Sequence, residues 1–438
     1  MKVYSFPRGG IYFEDPSAPP RDIITTAFLP ALSVIPLIQY SSNRSYPVVS
    51  VGDVVREGML IARGQGMGMG SANIHASVPG RVMKTASWKM ASGQVNEALV
   101  IRLEGSFEKL GKREETYSWE GMLPNDLQRL IAEYGVVEME GGGRPVADIV
   151  ASLRDTSEPV SLVVRCVFDD PYLAGDYVLC RERFKAVVEG SRIMARIIRA
   201  ARIIYAVSSQ EKDLGAKFIS EAGNWDPPSV LVLTGSKYPQ RNKWELELVL
   251  RNYGKNEGIE LRSFMILGPV TLAAVYDAVK FRKPALDRYI AVGGSAVRTP
   301  QVVKVRIGTR ARDVFAECGG FTSNPRRIAA GSPLSGRVIV DLDEPVTKTS
   351  YGLLAFSTGQ KTGTPPGTCI SCGECRHVCP IGLDPEEFFK CSRISAKLRD
   401  DFPLDRAAEC DGCRCCDVVC PSRIPLSSAI SALAQRGN

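Results

Sequence analysis

The sequence predicts a multidomain α/β and α+β protein that ends in a helical, cysteine-rich domain. Three observations predict this. The 438 residues leave room for two to four domains with substantial cores. Short β-branched runs between glycines give way, after residue 110, to alternating helix and strand patterns. Ten of the 13 cysteines fall in the last 70 residues. A composition of 44% hydrophobic and 24% charged residues is that of a globular protein and excludes a fibrous or largely disordered chain.

Residues 1–110 read as an N-terminal β domain. Val48–Asp53, Met59–Ala62 and Ile74–Ala76 are short strands separated by glycine turns. Gln65–Ser71 is a flexible glycine loop. It neither follows a strand nor opens a helix, so it is not a dinucleotide fingerprint. Residues 111–260 read as an α/β domain, with a helix over Asn125–Glu133 and buried strands at Val160–Val167 and Ser229–Leu233. Ser191–Val207 is expected to be helical. Arg192, Arg196, Arg199 and Arg202 then share one face, either solvated or docking an acidic partner or anionic lipid headgroups. Residues 261–355 read as a compact α+β module, with a helix at Leu272–Lys280 and strands at Tyr289–Gly293, Val302–Ile307 and Arg337–Asp341. Residues 356–438 form a turn-rich linker, 356–368, and the cysteine domain.

The apolar run Ala27–Ile38 is about half the roughly 20 residues of a membrane helix and contains Pro30 and Pro36, so no transmembrane span is expected. The start of the chain lacks the apolar core of a secretory signal, which makes a reducing cytosol the expected compartment. Clustered cysteines there read as metal ligands, not disulfides. The formal charge is +7, and the basic excess is dilute and lies outside the cysteine tail. With no polybasic arm and only His75 and His377 as histidines, nothing points to nucleic acid or to a zinc finger.

Two runs carry the chemistry: Cys369-x2-Cys372-x2-Cys375-x3-Cys379-Pro380 and Cys410-x2-Cys413-x2-Cys416-x3-Cys420-Pro421. This is the spacing of [4Fe–4S] ferredoxin runs, in which the fourth cysteine of each run serves the other cluster. One cluster is therefore assigned Cys369, Cys372, Cys375 and Cys420, and the other Cys410, Cys413, Cys416 and Cys379. Gly373 and Gly412 permit the tight loops. Phe388, Phe389, Ile394 and Leu398, on a helical stretch within Pro385–Phe402, are expected to shield the clusters. Cys391 and Cys415 read as packing residues, and His377 as exposed. The competing metal is zinc, which favours paired C-x2-C hooks around a single ion.

The order of motifs resembles the RnfC family, the peripheral iron–sulfur subunits of Rnf ion-pumping electron transport complexes. The resemblance runs nearly end to end. Gly9-Gly10-Ile11, Pro36–Gln39, Val51–Gly58 and His75–Val82 are similar to the family's opening and its lipoyl-like β domain, here without a lysine for lipoyl attachment. Val292–Val297, Ile307–Thr309 and Gly331–Gly336 are similar to its soluble-ligand-binding β-grasp (SLBB-like) module. The resemblance gives 111–260 the fold of the flavin-bearing NADH-dehydrogenase subunit of complex I. It implies an FMN/NADH site at Gly141, Gly142, Gly143, Asp170 and Tyr238.

The chain departs from the family at that site. Gly141–Pro145 is a shortened form of a Gly-Gly-Ala-x-Phe-Pro loop, with Arg144 expected to take space beside a flavin ring. In the family's Asn-x-x-Glu-Cys-Glu-Pro-Tyr stretch, Arg165 replaces the asparagine and Phe168 the first glutamate. After Tyr238-Pro239-Gln240, Arg241 replaces a glycine. A weakened or lost flavin site is the expectation.

The resemblance implies an electron-transfer subunit with two [4Fe–4S] clusters, peripheral on the cytoplasmic face of the inner membrane. Its implied partners are Rnf-type membrane subunits and a soluble carrier (ferredoxin, flavodoxin or NADH). The alternatives are a soluble flavin-dependent cobalamin-type reductase and a zinc-stabilised scaffold without redox function.

Overall fold

The computed structural model describes residues 2–39, 43–89, 95–105, 115–154, 157–357, 365–393 and 403–435. Ile394 and Leu398, assigned above as cluster shields, lie outside them.

The central layer is a parallel sheet of five strands in the order Val3–Tyr4, Ser229–Thr234, Arg202–Ser208, Val160–Cys166, Ser263–Leu267. Val160–Cys166 is buried at every position, as a strand covered on both faces requires. Leu162, Val164 and Cys166 face one core, with helices Phe184–Ile198, Lys212–Ala222 and Pro269–Lys280. Val163 faces the other, with helix Lys243–Glu257 and the N-terminal Tyr4 and Phe6.

Sheet membership moves one border. Ser263–Leu267 pairs in parallel with Val160–Val164, and Pro269–Lys280 packs on Phe184–Ile198. Both belong to the central layer, so the following module starts near Asp287 and not at 261. That module is a mixed sheet ordered Arg337–Val338, Arg327–Ala330, Gly352–Phe356, Asp287–Gly293, Gln301–Arg306, Ile24–Thr26, backed by helix Ala311–Glu317. Its seam with the central layer contains Arg288, 0% exposed, paired with Asp176 at 3.1 Å and donating to the Ser350 carbonyl at 2.7 Å.

The N-terminal β unit is two small sheets. One is ordered Leu32–Pro36, Val95–Leu103, Gly80–Lys89, Val54–Val55, and the other Tyr46–Pro47, Leu60–Arg63, Ile74–His75. They close on a core of Ile35, Leu37, Ile61, Val78, Leu99 and Ile101. The Gln65–Ser71 loop, expected to be free, is pinned: the Gly68 and Gly70 N–H groups donate to the buried Asp148 carboxylate at 2.6 and 3.0 Å. A second tie is the buried Lys348, whose ammonium donates to the carbonyls of Asn73 (3.2 Å) and Gly135 (2.7 Å). His75 stacks on Tyr134 in the same seam. Burial, then the Lys348 charge, lowers its pKa to about 3.

The expected arginine face is not continuous. The helix stops at Ile198, Arg199 takes the left-handed cap conformation (φ 50°), and Arg202 begins a strand. The two arginines left on the helix are engaged. Arg192 pairs with Glu189 at 2.6 Å and donates to the carbonyls of Glu221 and Ala222, and Arg196 Nε donates to Met122 O at 3.0 Å.

This packing has two measurable consequences. A left-handed cap strains any side chain and suits glycine, so Arg199→Gly raises unfolding stability by about 1 kcal/mol, read by chemical denaturation; no change or a loss contradicts the cap. His75 is neutral when folded and protonates near pH 6.5 when unfolded. Its stabilisation is therefore complete above pH 6.5 and is lost as pH falls toward 3, at about 1.4 kcal/mol per pH unit. His75→Gln should flatten the stability–pH curve over that window.

Candidate functional site

The cysteine domain is a structural repeat. Each cysteine of the second run lies 41 residues after its counterpart, and the backbone repeats with the sequence. Helices Glu374–Val378 and Cys415–Val419 each start after a left-handed residue, Gly373 (φ 80°) and Arg414 (φ 62°). Two more left-handed pairs match, Ser371 with Gly412 and Gly382 with Arg423. Each fourth cysteine then accepts a backbone N–H at its sulfur, Leu383 N to Cys379 Sγ at 3.2 Å and Ile424 N to Cys420 Sγ at 3.4 Å. Helices Pro385–Arg393 and Leu426–Ala434 close the halves and pack on each other.

The thiols group across the repeat. Cys379, from the first run, is close enough to the second run that its thiol raises the pKa of Cys410 and Cys416, and Cys413 raises that of Cys379. The Cys372 thiol likewise raises the pKa of Cys375. Cys369, Cys375 and Cys420 pack in one apolar cluster that also holds Cys413, Cys415 and Cys416, and Cys379 and Cys410 pack together in another. The chain beside Cys369 and Cys420 is tied by Gly367 N to Ser422 O at 2.8 Å and Ser422 Oγ to Thr368 O at 2.7 Å. Cys415 is fully buried and hydrogen-bonds the Cys413 thiol, Cys391 is half-buried on its helix, and His377 is exposed.

Burial is the first cause of the upward pKa shifts of Cys375 and Cys410, each to about 11, and of Cys379 and Cys416. Thiolates are disfavoured there until a cation or cluster compensates them. Two sets of soft donors, one largely buried and the other reaching the surface at Cys372, with backbone N–H groups already on two sulfurs, fit the ligand chemistry of [4Fe–4S] clusters. Among the described residues no three cysteine, histidine or carboxylate side chains form a group able to hold a single metal ion. Phe388, 1% exposed, packs with Cys379, Leu383 and Ile430, and Phe389 packs against the set containing Cys375. Both rings lie against cysteines of the two runs.

A cleft of about 640 Å³ opens between the α/β layer, the mixed-sheet module and the second cysteine run. Of the residues assigned to flavin or nicotinamide, Gly141, Asp170 and Tyr238 line it, and Gly142 and Gly143 do not. Gly143 instead closes a turn, its N–H donating to Glu138 O at 3.1 Å. Asp170 caps a short turn through Tyr172 N at 2.9 Å, and Tyr238 Oη donates to Cys413 O at 3.1 Å. Asn242 bonds Asp411, so the cleft wall and the second run share hydrogen bonds.

Arg144 and Phe168 act elsewhere than expected. Arg144 is exposed and reaches Asp148 O, while Phe168 is buried edge-on against Tyr177. Arg165 and Arg241 are the departures that enter the cleft. Sequence reasoning passed over Glu140, Asp169 and Glu245. Asp169 accepts Arg241 N at 2.9 Å, and burial raises its pKa to about 7. Glu245 is 0% exposed with both oxygens unpartnered, its pKa raised to about 8 by burial and then by the Asp411 charge.

Three families match successive stretches: the RnfC barrel sandwich hybrid domain over residues 5–106, the Nuo51 FMN-binding domain over 131–253, and the SLBB domain over 289–340. The C subunit of the ion-translocating oxidoreductase complex of Rhodobacter capsulatus is 30% identical over 401 residues, 87% of this chain and 73% of that one. The C subunit of the proton-translocating ferredoxin:NAD(+) oxidoreductase complex of Clostridium ljungdahlii is 28% identical, over 86% of this chain and 82% of its own. Among solved structures, an NAD+-reducing [NiFe]-hydrogenase in the air-oxidized state aligns with a TM-score of 0.50 at 14% identity, covering 72% of this chain and 66% of that one, a likeness of fold alone. The chain belongs to the RnfC family, the C subunits of ion-translocating oxidoreductase complexes.

Proposed function

We propose that the chain relays single electrons between a soluble carrier and the membrane subunits of an Rnf-type, redox-driven ion pump. Cys369, Cys372, Cys375 and Cys420 hold one [4Fe–4S] cluster, and Cys379, Cys410, Cys413 and Cys416 the other. The observation that carries this reading is the repeat of the two four-cysteine runs at an offset of 41 residues, in sequence and in backbone conformation, and the action of the Cys379 thiol on Cys410 and Cys416 supports the crossing. When bound, each cluster supplies a one-electron redox centre. The chain's own residues set its surroundings. Phe388 excludes water, and the Leu383 and Ile424 N–H groups donate to sulfur, which favours the reduced form.

Among the described residues no helix is long and apolar enough to cross a membrane. The chain is a subunit of a membrane-associated complex, and attachment at the cytoplasmic face through other subunits completes the reading.

Anaerobically purified chain should contain about eight iron and eight sulfide per molecule, measured by elemental and sulfide analysis. Zinc in their place overturns the reading. Crossing has its own test. Cys410→Ala with Cys413→Ala should halve the iron. Adding Cys379→Ala should then remove no more, whereas adding Cys420→Ala should remove the rest.

A further inference from the structure

We propose that this chain has closed its flavin site with its own side chains, and that Glu140, Arg165 and Arg241 form the closure. The closure deepens the electron-relay reading, because it leaves the clusters as the redox groups held by the chain and requires electrons to arrive from a partner.

The first part of the closure is an anion position already taken. Helix Pro269–Lys280 begins beside the glycine turn, and the N-terminus of a helix offers unpaired N–H groups to an anion. Here the Glu140 carboxylate fills it. Val270 N and Thr271 N donate to Oε1 at 2.5 and 3.2 Å, and the Thr271 hydroxyl bonds Oε2. Gly268, at the helix start, leaves the space that the Glu140 side chain occupies. A phosphate arriving at that helix end would meet a carboxylate in its place.

The second part is steric. Arg165 and Arg241 stand where the family pattern has an asparagine and a glycine. They are far apart in sequence, yet both guanidiniums end on the same atom. Arg165 donates to Glu140 O at 3.1 Å and Arg241 to Glu140 O at 2.9 Å, and Arg165 also reaches Arg241 O at 3.3 Å. Two long side chains are thereby locked across the residue that precedes Gly141. Among the described residues neither forms a carboxylate ion pair, so main-chain carbonyls hold both in place.

The third part is the field. Glu138, Glu140, Asp170, Glu247 and Asp411 line the cleft against Arg165, Arg241 and Lys243. The Glu138 carboxylate lies where a side chain on Gly141 would project. A dianionic phosphate gains little from such a lining.

The test is titration of the full, cluster-loaded chain with FMN, followed by quenching of flavin fluorescence. The wild-type chain should show no saturable binding up to about 100 µM FMN, and Arg165→Asn with Arg241→Gly should bind saturably with Kd on the order of 10 µM. Adding Glu140→Gln to the pair should tighten binding about tenfold further. Saturable binding by the wild-type chain overturns the proposal. So does failure of the double variant to bind when its cluster absorbance and melting temperature match the wild type. If the double variant does not fold, Arg241→Gly alone carries the same test under the same two criteria. Iron and sulfide content stays as in the wild type throughout, so a failed closure and a failed cluster assignment give separate results.

Discussion

The backbone contact of Gly9 with the first cysteine run is the constraint on which the assembly of the modules depends. Residues 3–36 enter three of the four sheets of the described residues in turn. Val3–Tyr4 extends the parallel sheet, Gly10 N donates to Val378 O at 2.9 Å, and Ile11 exchanges hydrogen bonds with Tyr238. Asp15 then accepts the Tyr172 hydroxyl at 2.9 Å, Ile24–Thr26 joins the mixed sheet, and Leu32–Pro36 enters the β unit. Gly9 has φ +67°, and a Cβ on it would lie 2.5 Å from Val378 O and 2.7 Å from the Cys379 carbonyl carbon. A side chain there pushes the segment around Gly9 off Val378 and Cys379. Cysteine geometry is in this way coupled to a strand more than 370 residues earlier in the chain.

The repeat shows how strongly that geometry is imposed. Three positions in each half are left-handed, and the two halves fill them differently: Ser371 and Gly412, Gly373 and Arg414, Gly382 and Arg423. A non-glycine residue in this conformation costs about 1 kcal/mol, and such strain persists only where the surroundings over-determine the backbone. Sulfur placement supplies that determination. The chain retains left-handed arginines and a left-handed serine because the loop path is set by where four thiols must stand.

Legibility in the sequence followed the range of each interaction. The cysteine runs could be read because ligand spacing is local, and Val160–Val167 because a doubly covered strand announces itself as an apolar run. The end of the Phe184–Ile198 helix could not, because Arg199 occupies a cap position where glycine would have marked the stop. The border at 260 was misplaced because Ser263–Leu267 is defined by pairing with a strand about 100 residues upstream. At the cleft, the resemblance pointed to the stretches that line it and to Arg165 and Arg241, but not to the positions of Arg144 and Phe168. Arg144 and Phe168 looked disruptive, but one faces outward and the other packs inward. Glu140 left no signal at all, since the helix it caps begins 129 residues later.

The charge count of +7 treats every cysteine as neutral, and the site changes what it means. The tail from Cys369 onward has 9 basic and 10 acidic residues. Each cubane with its four thiolates adds about −2, which takes a two-cluster tail to about −5 while the rest of the chain stays at +8. Arg414 lies within the second run itself, and Arg165, Arg241 and Lys243 share the neighbouring cleft wall with Asp411 and Cys413. With the flavin position closed, these cations have no anionic cofactor to neutralise. Five carboxylates, Glu138, Glu140, Asp170, Glu247 and Asp411, share that lining with them, so the cleft wall lends the second run no net positive field.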